Sequence, residues 1–162
     1  MASTRASAPE PQGSRALDQS ELKKHAGYFL ARARFIAFRT FHQHIGDAYD
    51  LKPAEFALMV LLGSNRDVTQ KQLSRSLGIA QPNMTGILRR LEERRLIERT
   101  RAEADRRMQF ITLTASGTRL IRQAIAAGKG MDKGWLGKLT PAEQAMLVEL
   151  LEKVTLASSA EE

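Results

Sequence analysis

Residues 69–85 read TQKQLSRSLGIAQPNMT, and this stretch decides the fold. Thr69 with Gln72 three residues on is a capping box: a hydroxyl accepts from a first-turn amide, and a side-chain amide reaches back. Leu73 and Leu77 share one helix face and turn inward. Gly78 stands where a helix closes on a left-handed residue, a conformation that glycine adopts without steric penalty. Gln81-Pro82 opens a second helix, with proline in its first turn. Met84, Ile87, Leu88 and Leu91 form its buried stripe. The residues off that stripe are Gln81, Asn83, Thr85, Arg89 and Arg90. The stretch therefore predicts two short helices about a glycine turn, the second with an open polar face.

Outward from it, the pattern stays mostly helical. Leu96-Ile97-Glu98-Arg99 reads as a short strand, 101–107 as a charged turn, and Met108 to Leu113 as a returning strand. Thr114 caps a further helix with Leu120, Ile121, Ala124 and Ile125 inward, loosened at its end by Gly128, Gly130 and Gly134. Thr140-Pro141-Ala142-Glu143 is another capping box, opening a helix with the stripe Met146, Leu147, Leu150, Leu151 and Val154. Upstream, Pro53 opens a helix, with Leu51 and Phe56 placed to staple its entry, and Gly63-Ser64-Asn65 ends it. Gly46 to Lys52 reads as a break. A long helix is predicted from near Asp18, with Leu22, Ala26, Phe29, Leu30, Ala33, Ile36, Ala37, Phe41 and Ile45 on one stripe. Its length favours packing along a partner chain. Residues 1–17 are Ala/Ser/Pro-rich and are expected to be a disordered tail. The predicted class is mainly α with a small β-hairpin: a helix-turn-helix lobe over 51–114, and helical regions over 18–50 and 115–158.

Composition narrows the chemistry. The 162 residues carry 25 Lys+Arg against 18 Asp+Glu, a formal net charge of +7. The excess is regional, +5 over 65–107 and −3 over 138–162. Seven of the nine aromatics lie between residues 28 and 56, and none lies in 65–107. Proteins that hold single strands stack bases on rings, so a basic region without rings suits the phosphates and groove edges of a duplex. Gln, Asn and Arg on the second helix can read base edges. Arg106 and Arg107 on the thin hairpin tip can reach a minor groove, and Asp105 can orient them. With no cysteine there is no disulfide, zinc ribbon or thiol switch. His25, His42 and His44 lack a convincing metal spacing, so no metal is expected. No phosphate loop or nucleophile motif is present, so neither an enzyme nor a cofactor is expected. No apolar run is long enough to span a membrane, and no secretory leader is visible, which predicts a cytoplasmic protein.

Leu91-Glu92-Glu93, Leu96-Ile97-Glu98-Arg99, Asp105-Arg106-Arg107, Leu113-Thr114 and Gly117 together resemble the multiple-antibiotic-resistance-type (MarR) winged-helix regulators. Leu51-Lys-Pro-Ala-Glu-Phe56 and Leu139-Thr-Pro-Ala-Glu143 match further, and the resemblance covers roughly residues 25–155. It implies a bacterial homodimer joined by the first helix and the last two helices of each chain. It also implies a repressor of transcription whose paired second helices, 81–95, and wings, 98–113, read a palindromic DNA operator. It further implies release by a small ligand, such as an aromatic acid or its thioester, at the junction of the two regions. From position and chemistry, Phe29, Arg32, Phe35, Arg39, His42, Phe56 and Met59 are the candidate pocket, where an arginine can pair with an anionic ligand. Two positions depart from the family. Gly86 stands where a polar or basic residue is usual, and Arg95 where glycine is usual; a left-handed conformation at Arg95 costs of order 1 kcal/mol. The competing reading is a winged helix that binds RNA or a protein partner without recognising an operator. A third reading, a small enzyme built on the three histidines, has no supporting motif.

Overall fold

The computed structural model describes residues 17–101 and 109–157. The chain divides into two compact units, Met1–Arg34 and Phe35–Glu162. In the first unit, a 3-10 turn over Leu22–Lys24 precedes helix α1, Ala26–Phe41, which runs on into the second. The long helix thus starts eight residues later than the sequence predicts. The Asp18 carboxylate accepts from the Ser20 backbone N–H at 2.9 Å, a local turn that competes with helix, and His25 is extended. Tyr28 donates to Gln19 Oε1 at 2.9 Å, and the Arg32 guanidinium lies 5.6 Å from the Tyr28 ring centroid.

In the second unit the predicted break at Gly46 is displaced. The helix passes through a π-helical turn, His42–Gly46, and one further turn, α2, Asp47–Tyr49. It stops at Asp50, which is left-handed with φ +48°. Gly46 serves space: a Cβ there would stand 2.6 Å from His42 Nδ1. Pro53 then opens α3, Pro53–Ser64, as predicted. Helix α4, Gln70–Leu77, carries the predicted capping box, with the Thr69 N–H donating to Gln72 Oε1 at 2.8 Å. Gly78 closes it at φ +60°. Helix α5, Gln81–Glu93, runs unbroken through Gly86. Arg95 follows at φ +54°, so the left-handed conformation is adopted in spite of the side chain.

Strands β1, Ile97–Arg101, and β2, Gln109–Leu113, pair antiparallel with Ile97 opposite Leu113 and Arg101 opposite Gln109. An isolated bridge from Val68 to Ile111 lays a third segment of chain against β2, which the sequence pattern does not reveal. Thr114 caps α6, Ala115–Ala127, accepting from the Gly117 N–H at 3.1 Å. A Cβ on Gly117 would overlap the Leu96 carbonyl oxygen, so only glycine lets α6 approach the hairpin this closely. A short α7, Lys133–Leu136, falls within the glycine-rich stretch. Helix α8, Pro141–Ala157, opens on the predicted box, with the Thr140 N–H donating to Glu143 Oε2 at 2.7 Å.

The core gathers Ile45, Leu51, Leu58, Met59, Leu73, Met84, Leu88, Leu91 and Ile111, all fully buried. Each such side chain contributes roughly 1.5–3 kcal/mol by leaving water. Helices α3 to α6 and the hairpin enclose this core and hold α5 with its polar side outward.

Candidate nucleic-acid interface

Met84, Leu88 and Leu91 seat α5 in the core, and helical periodicity turns Gln81, Asn83, Thr85 and Arg89 to solvent. Gln70, at the start of α4, donates to Gln81 Oε1 at 3.1 Å and to Thr85 Oγ1 at 2.9 Å. Thr85 Oγ1 in turn donates to the Gln81 carbonyl at 3.0 Å. These bonds fix the first turn of α5 against α4 and leave Asn83 beside them on the open face. The role of Gln70 was missed from the sequence, although its place in the first turn of α4 was the available signal. A Cβ on Gly86 meets nothing within 4 Å, so the middle of this face is open backbone.

The two arginines of α5 part company. Arg89 is exposed, with Glu93 Oε1 3.8 Å from its Nε. Arg90 turns inward, and its guanidinium bonds both carboxylate oxygens of Glu55 and, at 2.8 Å, Asp50 Oδ1. That pairing raises the Arg90 pKa further, chiefly through the Glu55 hydrogen bond, so the group stays charged. Glu93, one turn on, is the neighbour of Arg89 but not of Arg90. Arg90 takes Glu55, 35 residues away, because Glu55 is buried and needs a cation. Glu92 pairs instead with Arg99 of β1 at 2.6 Å, bracing the hairpin against α5. Asp105, Arg106 and Arg107 lie outside the described residues.

The seven candidate pocket residues are divided between the two units. Phe29 and Arg32 belong to the first unit, where Phe29 is half exposed and Arg32 bonds the Tyr28 hydroxyl at 3.1 Å. The other five lie in the second unit, where His42 and Phe56 both pack against the Phe41 ring. Phe35 is 77% exposed. His42 Nδ1 is 3.4 Å from Asp47 Oδ1. Phe56 packs edge-on against Phe41 at 5.6 Å. Arg39 borders a shallow hollow with His44, Met131, Trp135 and Lys138. Met59 alone of the seven reaches a cavity of about 600 Å³ between α3, β2 and α6. Its other apolar lining includes Val60, Leu113, Ile121 and Ile125; Arg66 and Arg122 supply cations, Thr112 and Thr118 hydroxyls, and among the described residues no acidic one lines it.

A family model described as the MarR family matches residues 49–108, the span from the α2–α3 corner into the hairpin. The transcriptional regulator HosA of Escherichia coli O157:H7 is 30% identical over 105 residues, which are 65% of this chain and 78% of HosA. The chain belongs to the MarR family. It is a transcriptional regulator of the winged-helix class, and the hairpin β1–β2 is the MarR wing. Among solved MarR structures, the repressor CouR bound to a 23-mer DNA duplex is similar to it. CouR has a TM-score of 0.81 and 29% identity, covering 87% of this chain and 99% of that one. BpsR of Bordetella bronchiseptica, whose DNA binding is regulated by 6-hydroxynicotinic acid, is also similar. BpsR has a TM-score of 0.76 and 28% identity, covering 82% and 94%. These MarR relatives are regulators, not enzymes.

Proposed function

We propose that this MarR-family chain is a homodimeric repressor that reads a palindromic DNA duplex with α5 and the wing, and releases it when a small aromatic anion binds. The observation that carries the reading is the face of α5. A helix locked by its apolar stripe presents Gln81, Asn83, Thr85 and Arg89 to solvent beside a two-stranded projection, the arrangement that enters a major groove. Arg89 and the wing's Arg106 and Arg107 supply phosphate and minor-groove contacts, with Asp105 orienting the wing. Arg90 is assigned no DNA contact, since its donors serve Glu55 and Asp50. The similarity to a duplex-bound repressor supports the same reading.

The cavity between α3 and α6 suits the effector. Its apolar floor accepts a ring, and Arg66 or Arg122 can pair with a carboxylate. An aromatic acid or its thioester is the proposed class. Among the described residues no helix is long and apolar enough to cross a membrane, and the proposed place of action is the cytoplasm, at the chromosome.

Footprinting on the DNA upstream of the protein's own coding sequence tests the function. One palindromic site should be protected at moderate salt, and an aromatic acid that raises the melting temperature of the free dimer should release it. Asn83→Ala should relax preference at one base step without weakening all sequences equally, and Arg107→Ala should lower both affinity and its salt dependence. If no duplex site is protected while an RNA or a protein partner is retained, the repressor reading fails and the competing binding module stands.

A further inference from the structure

We infer that Arg90, with Arg94, is a positioning residue: the two guanidinium groups clamp α5 to the corner between α2 and α3 and set the angle at which α5 meets DNA. The inference rests on the repressor reading above and concerns how its reading helix is held.

Arg90 and Arg94, the residue that closes α5, are four apart, so both point from the end of the helix to one side. Arg90 spans Glu55 and Asp50. Arg94 Nη1 donates to the Asp50 carbonyl at 2.5 Å, and its Nη2 donates to the Tyr49 carbonyl at 3.0 Å. Two consecutive residues of the corner, 49 and 50, thus accept from α5 through their backbone, which depends on the left-handed turn at Asp50. The side chain of Glu55 is 2% exposed. Besides Arg90, it accepts from the Lys52 N–H at 2.8 Å, so it also fixes the start of α3. A carboxylate so buried is costly to leave without a partner, and the pairing directs α5 toward one position. Hydrophobic contacts alone would tolerate small rotations of the helix, whereas a guanidinium whose Nη1 is shared by both oxygens of a fixed carboxylate and whose Nη2 is held by Asp50 does not.

The corner is itself tied down. The Tyr49 hydroxyl lies 3.4 Å from the Gln123 carbonyl of α6. The neighbouring Arg122 and Ile125 line the cavity described above. The clamp therefore connects the wall of that cavity to the helix that carries the polar face.

A phosphate contact and a positioning contact give opposite signatures. The test measures fluorescence anisotropy of the full-length dimer on operator and on unrelated duplex across a salt series, with the active fraction set by stoichiometric titration. Arg90→Met should weaken operator binding about tenfold or more, the worth of one base contact. Its binding to unrelated duplex should stay within about twofold and its salt slope should not change, because no phosphate contact is lost. Glu55→Gln, which keeps the shape and two hydrogen-bonding atoms, should also weaken operator binding although it removes a negative charge. Arg90→Lys should restore part of the loss. If Arg90→Met lowers the slope by about 0.9 per phosphate and weakens both duplexes alike, Arg90 is a DNA contact and the inference falls. If Glu55→Gln binds the operator as tightly as the parent or tighter, it falls as well. If the parent protein shows no preference for any duplex, the repressor reading fails, and the clamp has no DNA angle to set.

Discussion

The α3–α6 lobe and helix α8 are similarly apolar in sequence and differ in where that surface goes. In the lobe, the stripes close on one another: Leu58 and Met59 of α3, Leu73 of α4, and Met84, Leu88 and Leu91 of α5 are all buried within one chain. In α8, Met146 is 55% exposed, Leu150 50% and Val154 62%, at positions four apart on one face. An apolar helix face left open on this scale marks a surface meant for another molecule, and the proposed homodimer supplies it. Periodicity in a sequence thus tells which face of a helix is apolar and is silent on which chain it meets.

The largest effect that can break this comparison is Leu88→Ala. It empties a fully buried site and should cost about 2–5 kcal/mol in urea unfolding, losing operator binding in proportion to the unfolded fraction. Val154→Ala on α8, measured at dilution where the chain is monomeric, should change unfolding of the lobe by less than about 0.5 kcal/mol. At higher concentration it should shift the dimer equilibrium in analytical ultracentrifugation. Equal destabilisation by the two variants in the dilute monomer would mean that α8 belongs to the same core, and the contrast would be lost.

Local chemistry explains which parts of the fold could be read in advance. The capping boxes at Thr69–Gln72 and Thr140–Glu143, the proline that opens α3 and the glycine after α4 act over three or four residues, and all stand where the sequence places them. What escaped is non-local. Glu55 reads as the glutamate of a helix start, and it is that, but its second partner lies on α5. The Val68–Ile111 bridge depends on the loop after α3 returning to β2, which no spacing within either segment announces. The π-helical turn at His42–Gly46 escapes the pattern because a glycine that breaks a helix and one that makes room for a ring look alike in sequence. The candidate site divides likewise. The open polar residues of α5 follow from helical period, whereas the pocket residues rest on position and chemistry, and no period within one helix says which of them share a cavity.

A smaller effect sharpens the contrast within the lobe itself. Arg95 occupies a left-handed position, where its Cβ crowds the backbone, while its carbonyl accepts from Thr114 Oγ1 and Ser116 Oγ, each at 2.8 Å. That acceptor is backbone and survives substitution. Arg95→Gly should therefore keep the α5–wing turn and gain about 1 kcal/mol in chemical denaturation. A loss of stability would mean that the arginine side chain outweighs the strain.

Gly86 is the converse case, a glycine inside α5 where neither backbone nor space calls for one. Gly86→Ala should stabilise the lobe by roughly 0.5–1 kcal/mol, the gain expected from restricting the unfolded chain and the frayed helix. Its effect on DNA is the more informative reading. If α5 enters the groove with Gly86 toward the duplex, the added methyl takes up space that backbone alone now leaves, and operator affinity should fall even as the melting temperature rises. If affinity and melting temperature rise together, Gly86 faces away from DNA, and the groove contacts concentrate on Gln81, Asn83 and Thr85 at the first turn. In either case stability and binding separate at one position, which the buried stripe of the same helix does not allow, because at Met84 or Leu88 a change that harms packing harms binding with it.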